Sequence, residues 1–146
     1  MQYEKKNTMQ KIIIDTNVIV SALISNAVPS QILYEIILNE QVILCLSLEV
    51  YEEYLDVLSR NKFDKFSNFR DKASIVLAKI KELGKIYTPE KQLFILSDVD
   101  DNKFLELADI SAADFLITGN TQDFTLSEYE YTKIVTPREY WNFHKP

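Results

Sequence analysis

Lys11-Ile12-Ile13-Ile14-Asp15-Thr16-Asn17-Val18-Ile19-Val20 is the stretch whose reading decides the fold. Three consecutive isoleucines, ended abruptly by a carboxylate, a hydroxyl and an amide, form the β-branched run of a strand buried on both faces. Asp15 then stands at the carboxyl end of that strand. In open parallel α/β sheets ligands gather outside the carboxyl ends of strands, so an acid placed there is a site candidate. Asp15 or Thr16 also has the chemistry of a helix cap, because a helix follows at once. This stretch alone leaves both readings open.

Working outward, residues 1–8 read as a flexible leader and 9–146 as a single domain, the length of one core. Thr16 to Ser25 suits a short first helix, broken at Asn26 to Pro29. Ile32, Leu33, Ile36 and Ile37 have helical spacing over Ser30 to Asn39, ahead of a strand from Val42 to Leu46. Ser47 is a plausible cap for a helix from Leu48 to Ser59, whose apolar face is Val50, Tyr51, Tyr54, Leu55 and Leu58. Glu49 and Asp56 read as its solvated side; periodicity does not separate Glu52 from Glu53. A basic, phenylalanine-studded connection from Arg60 to Arg70 precedes a helix from about Asp71 to Leu83, stopped at Gly84. Lys85 to Tyr87, Asp114 to Thr118 and Tyr131 to Val135 are further strands, with a helix from Lys103 to Ile110. Thr136-Pro137-Arg138-Glu139 has the form of a capping box opening a short last helix. Strands alternating with helices imply a mainly parallel sheet of about five strands between helical layers.

The composition excludes several classes. No apolar run approaches the ~18 residues of a membrane span, and the first eight residues lack a signal peptide's apolar stretch, so a cytoplasmic protein with no membrane partner is expected. Cys45 lies in an apolar run and reads as a buried hydrophobe, and with His144 the one histidine, a zinc site of thiolates and imidazoles is excluded. Two glycines leave no material for a phosphate-cradling loop. The net charge of -6 conceals an asymmetry: between Arg60 and Lys91 nine basic residues face four acidic ones, and the acids concentrate elsewhere. An acidic focus with a basic flank suits a cation-loaded site that grips a polyanion.

That focus has three sources besides Asp15. Ser97-Asp98-Val99-Asp100-Asp101-Asn102-Lys103 carries more acid than a cap requires. Gly119-Asn120-Thr121-Gln122-Asp123-Phe124 follows another buried strand, and Glu53 or Glu52 reaches in from the helix after the second strand. Converging carboxylates raise one another's pKa values, and hard divalent cations relieve the repulsion. Carboxylate oxygens and waters suit Mg²⁺ or Mn²⁺, and a pair of such ions activates water and stabilises the leaving oxygen in phosphodiester hydrolysis.

Four motifs in order and spacing, Ile13-Ile14-Asp15-Thr16-Asn17-Val18, Ser47 to Tyr54 with Val57 to Phe63, Asp98 to Ala108, and Ala113 to Asn120, resemble the PIN-domain ribonucleases. Within them the likeness is to VapC-type toxins of bacterial toxin-antitoxin systems. The resemblance covers about Met9 to Phe143. It implies a three-layer α/β/α sandwich, Mg²⁺- or Mn²⁺-dependent endonucleolytic cleavage of RNA, and inhibition by a cognate antitoxin, with a homodimer left open. Carried over, Asp15, Glu53 and Asp101 match the first three acids, as catalytic residues and metal ligands, with Glu52 the alternative to Glu53. Thr118 matches the hydroxyl of the strand-end Thr-Gly-Asp motif, whose aspartate is Asn120 here. Asp123 before Phe124 fits a version with the acid three residues on, so Asp123 is the expected fourth acid and Asn120 a neutral ligand or hydrogen-bonding group. Asp98 and Asn17 are supporting candidates, Asn17 orienting Asp15, and Arg60, Lys62, Lys65 and Arg70 are the expected RNA-binding cations. One rival is a PIN-like module that has lost catalysis and binds RNA or protein. Another, a haloacid-dehalogenase-type phosphatase, needs an acid where this chain has Asn17.

Overall fold

The computed structural model describes residues 9–120, 124 and 126–146; the expected leader at 1–8 and Asp123 lie outside them. The isoleucine run forms β1 (Lys11–Ile14), with Ile12, Ile13 and Ile14 almost fully buried, as a strand covered on both faces requires. β2 (Ile43–Leu46), β3 (Lys85–Ile86), β4 (Phe115–Ile117), β5 (Glu128–Tyr129) and β6 (Thr132–Val135) complete a sheet in the order β3-β2-β1-β4-β6-β5. All pairings are parallel except the β5–β6 hairpin, whose strand β5 adds a sixth to the expected five. Its turn places Glu130 at φ 50°, a conformation no glycine or asparagine in the segment announces.

Helices flank the sheet: α1 (Thr16–Ile24), α2 (Val28–Gln31), α3 (Leu48–Leu58), α4 (Phe69–Leu83), α5 (Asn102–Ser111) and α6 (Pro137–Glu139). The second continues in π geometry over Ile32–Ile37, and the last over Tyr140–His144. Both N-terminal caps expected from local chemistry are formed. Ser47 Oγ accepts from Val50 N–H at 3.1 Å to cap α3, and Thr136 with Glu139 makes a reciprocal capping box. Gly84 ends α4 for a different reason from a left-handed cap, since its φ is -69°. A Cβ there would lie 2.3 Å from Leu46 Cδ1. The helix stops where its backbone crosses the end of β2.

The sheet topology positions the site. Chain connections run from β1 outward to β2 and β3, then return across the sheet to β4 on the other side of β1. The strand order therefore reverses between β1 and β4, and the crevice outside the carboxyl ends of such a pair is where ligands bind in open α/β sheets. Asp15 follows β1 directly and Thr118 follows β4.

Candidate functional site

Register brings the first two groups together. Ile14 pairs with Ile117, so the next residues, Asp15 and Thr118, stand side by side. The ladder reaches them, with Asp15 N–H donating to Ile117 O and Thr118 N–H to Val135 O, each at 2.9 Å. Thr118 Oγ1 then donates to Asp15 Oδ2 at 2.7 Å and accepts from Asn120 N–H at 3.0 Å. Asp15 occupies the N-cap position of α1, where the Thr16 and Asn17 amides face its carboxylate and Thr118 donates to it from the neighbouring strand end. The residue is 4% exposed, at the carboxyl end of β1.

Glu53 arrives from α3. Thr16 Oγ1, in the first turn of α1, donates to Glu53 Oε2, and Lys103 Nζ, in the first turn of α5, lies 3.1 Å from Glu53 Oε1. Burial pushes the Asp15 carboxyl above its ordinary range, and the nearby Glu53 charge pushes the same way; the Thr118 hydrogen bond and the amides of Asn17 and Thr16 offset part of it. Tyr54, one residue after Glu53, is fully buried and donates to Ile14 O at 2.5 Å, clamping the peptide that presents Asp15. Burial first, then the Asp15 and Glu53 charges, hold its phenol well above the usual range. Beside these groups runs a groove of about 400 Å³, lined by Glu49, Glu52, Glu53, Asp56, Val57, Arg60, Asp100 and Lys103.

The acidic turn after β3 is held by a residue that the sequence reading did not single out. Asn102 is 2% exposed, accepts from Ile95 and Leu96 N–H at 3.0 and 2.9 Å, and donates to Val99 O at 3.1 Å. It thereby presents Asp100 and Lys103 to the groove, with half-buried Asp101 between them at the start of α5. Asp98 is exposed and spends its carboxylate on Asp100 N–H at 3.0 Å, the ordinary work of a cap.

The PIN domain family model matches residues 11–122. The chain belongs to the PIN domain family. It is 31% identical over 139 residues to an uncharacterized protein of Methanocaldococcus jannaschii, covering 89% of this chain and 88% of that one. In fold it is similar to a crystal structure of VapBC2 from Rickettsia felis bound to a DNA fragment from their promoter. That match has a TM-score of 0.55 and 14% identity, over 87% of this chain and 98% of that chain.

Within this PIN domain the two glutamates stand differently: Glu53 meets Thr16 and Lys103, while Glu52 is exposed on the groove wall. Asn17 influences Asp15 through its backbone amide; its side chain lines a separate hollow of about 330 Å³ with Val18, Ser21, Pro29, Gly119, Asn120 and Pro137. The basic flank is partly self-neutralised. Arg60 pairs with Asp56 at 3.0 Å and Arg70 with Asp64 at 2.8 Å, whereas Lys62 and Lys65 lie over the Phe63 and Phe66 rings at 5.2 and 5.4 Å. Thr16, Tyr54 and Lys103 were missed as members of the site, because their roles depend on partners about 40 to 50 residues away, beyond the reach of a local pattern.

The donor set fits a hard divalent cation. All the donors are oxygens, and burial together with the Glu53 charge makes an ionised Asp15 costly, while Lys103 offsets charge at Glu53 alone. Among the described residues no three acids, histidines or cysteines enclose an ion. One or two carboxylates completed by water and substrate phosphate is the usual arrangement for Mg²⁺.

Proposed function

We propose that this PIN domain is a metal-dependent endoribonuclease, the toxin of a toxin-antitoxin pair, with Asp15, Glu53, Asp101 and Asp123 as its acids. The observation that carries the reading is the buried Asp15 carboxylate with the Glu53 charge close by, at the topological switch point of the sheet. Family membership and the fold likeness to a VapBC2 complex support it. Bound Mg²⁺ or Mn²⁺ supplies a water made acidic enough to attack at neutral pH and neutralises charge on the phosphate.

The remaining work falls to the chain's own groups. Thr118 and the Thr16 and Asn17 amides favour the ionised form of Asp15 and orient it; Tyr54 fixes the strand end that carries it. Thr16 holds one oxygen of Glu53 in place. Arg60, Lys62, Lys65 and Arg70 supply cations along the RNA path, Arg60 at the groove itself. Hydrolysis by in-line attack leaves 5′-phosphate and 3′-hydroxyl ends. Single-stranded RNA is incubated with the purified protein and Mg²⁺ or Mn²⁺, beside D15N, D101N and D123N. Cleavage by the wild type that each substitution reduces at least tenfold is the expected result; equal cleavage by all four proteins overturns the assignment.

A further inference from the structure

We propose that Lys103 is a tethered counter-cation of the acidic site, holding Glu53 until a divalent ion displaces it. The inference rests on the metal-dependent reading above and assigns the residue that sets how readily the site takes up its ion.

A lysine at the second position of α5 is poorly placed by local rules, because the helix dipole disfavours cations in the first turn. Its partner explains it. Lys103 Nζ sits 3.1 Å from Glu53 Oε1, and its side chain is 23% exposed, against 49% for Arg60 and 57% for Arg70 in their surface pairs. Thr16 takes the other oxygen of Glu53. Both oxygens of that carboxylate are therefore engaged, and an incoming ion meets Thr16, a neutral donor that can rotate away, or Lys103, a competing positive charge. Asp101 and Lys103 stand two residues apart at the start of α5, so candidate ligand and competitor are carried on one element. Once released, the ammonium remains on a four-carbon stem over the groove that Lys103 lines, within reach of a phosphate.

A plain structural salt bridge between α3 and α5 would tie the helices together without governing metal uptake. Mn²⁺ titration followed by electron paramagnetic resonance, without RNA, separates the two for wild type, K103M, K103R, E53Q, E53Q/K103M and D15N. Removing one partly buried competing charge is expected to tighten Mn²⁺ binding about tenfold in K103M, to change it less than about twofold in K103R, and to have no effect of that size once E53Q removes the shared carboxylate. K103Q replaces K103M should the latter fail to fold by circular dichroism. Unchanged or weaker binding by K103M, while D15N still abolishes binding, overturns the counter-cation and leaves the metal site standing. An equal gain in the E53Q background overturns it too, as a general charge effect. Mn²⁺ binding by none of the proteins overturns both.

Discussion

Thr118 Oγ1 donates to Asp15 Oδ2 at 2.7 Å, joining residues 103 positions apart at the ends of adjacent strands. The bond favours the charged form of a buried carboxylate and so offsets part of the upward shift that burial imposes on it. The parallel register makes this possible, since a slip of one residue would turn Thr118 to the opposite face of the sheet.

Thr118→Val removes that donor and leaves a buried acceptor short of a partner. Urea denaturation at pH 7 should show a loss of about 1 to 3 kcal/mol, with Thr118→Ser near wild type. The same loss for Thr118→Val in a D15N background would contradict the pairing.

Asn102→Ala removes three hydrogen bonds from a side chain with almost no access to solvent. The expected cost is about 2 to 3 kcal/mol. Hydrogen exchange should accelerate first at the Ile95 and Leu96 amides, which lose their acceptor. Unaltered protection there would show that the acidic turn is held by other means.

Stability should fall as pH rises above about 10, where unperturbed phenols ionise. Tyr54 and Tyr140 both donate at 2.5 Å, to Ile14 O and Gln10 Oε1, and burial raises both pKa values; the acid neighbours Asp15 and Glu53 add to the effect at Tyr54, and Asp114 at Tyr140. The unfolded chain releases these protons first, so between the unfolded and folded pKa values the native state binds more protons. Stability then declines by up to about 1.4 kcal/mol per pH unit for each tyrosine. Tyr140→Phe should lower the alkaline slope measured by chemical denaturation; an unchanged slope would contradict the assignment.

The parts of the fold legible in sequence were those set by neighbours in the chain. The strand stop at Asp15, the Ser47 cap and the Thr136–Glu139 box each announce themselves within four residues. The β5–β6 hairpin did not, because its turn carries Glu130 rather than glycine at positive φ. In the site, the placing of Asp15 and Thr118 at neighbouring strand ends followed from strand polarity, which the alternation of strands and helices reveals. The assignment of Glu53 over Glu52, the Lys103 pairing and the scaffolding by Asn102 depend on tertiary contacts, which no periodicity encodes. The basic flank shows the converse: its charges were countable, but half of the named cations prove to be satisfied by Asp56 and Asp64.

The central proposal is that Asp15, at the N-cap of α1, is a cation ligand. Anomalous diffraction from crystals grown in Mn²⁺ tests it most directly. The claim predicts a manganese peak coordinated by Asp15, with Glu53 turned toward it and its pairing to Lys103 broken. Saturating Mn²⁺ with no peak at Asp15, and Lys103 still on Glu53, would contradict it.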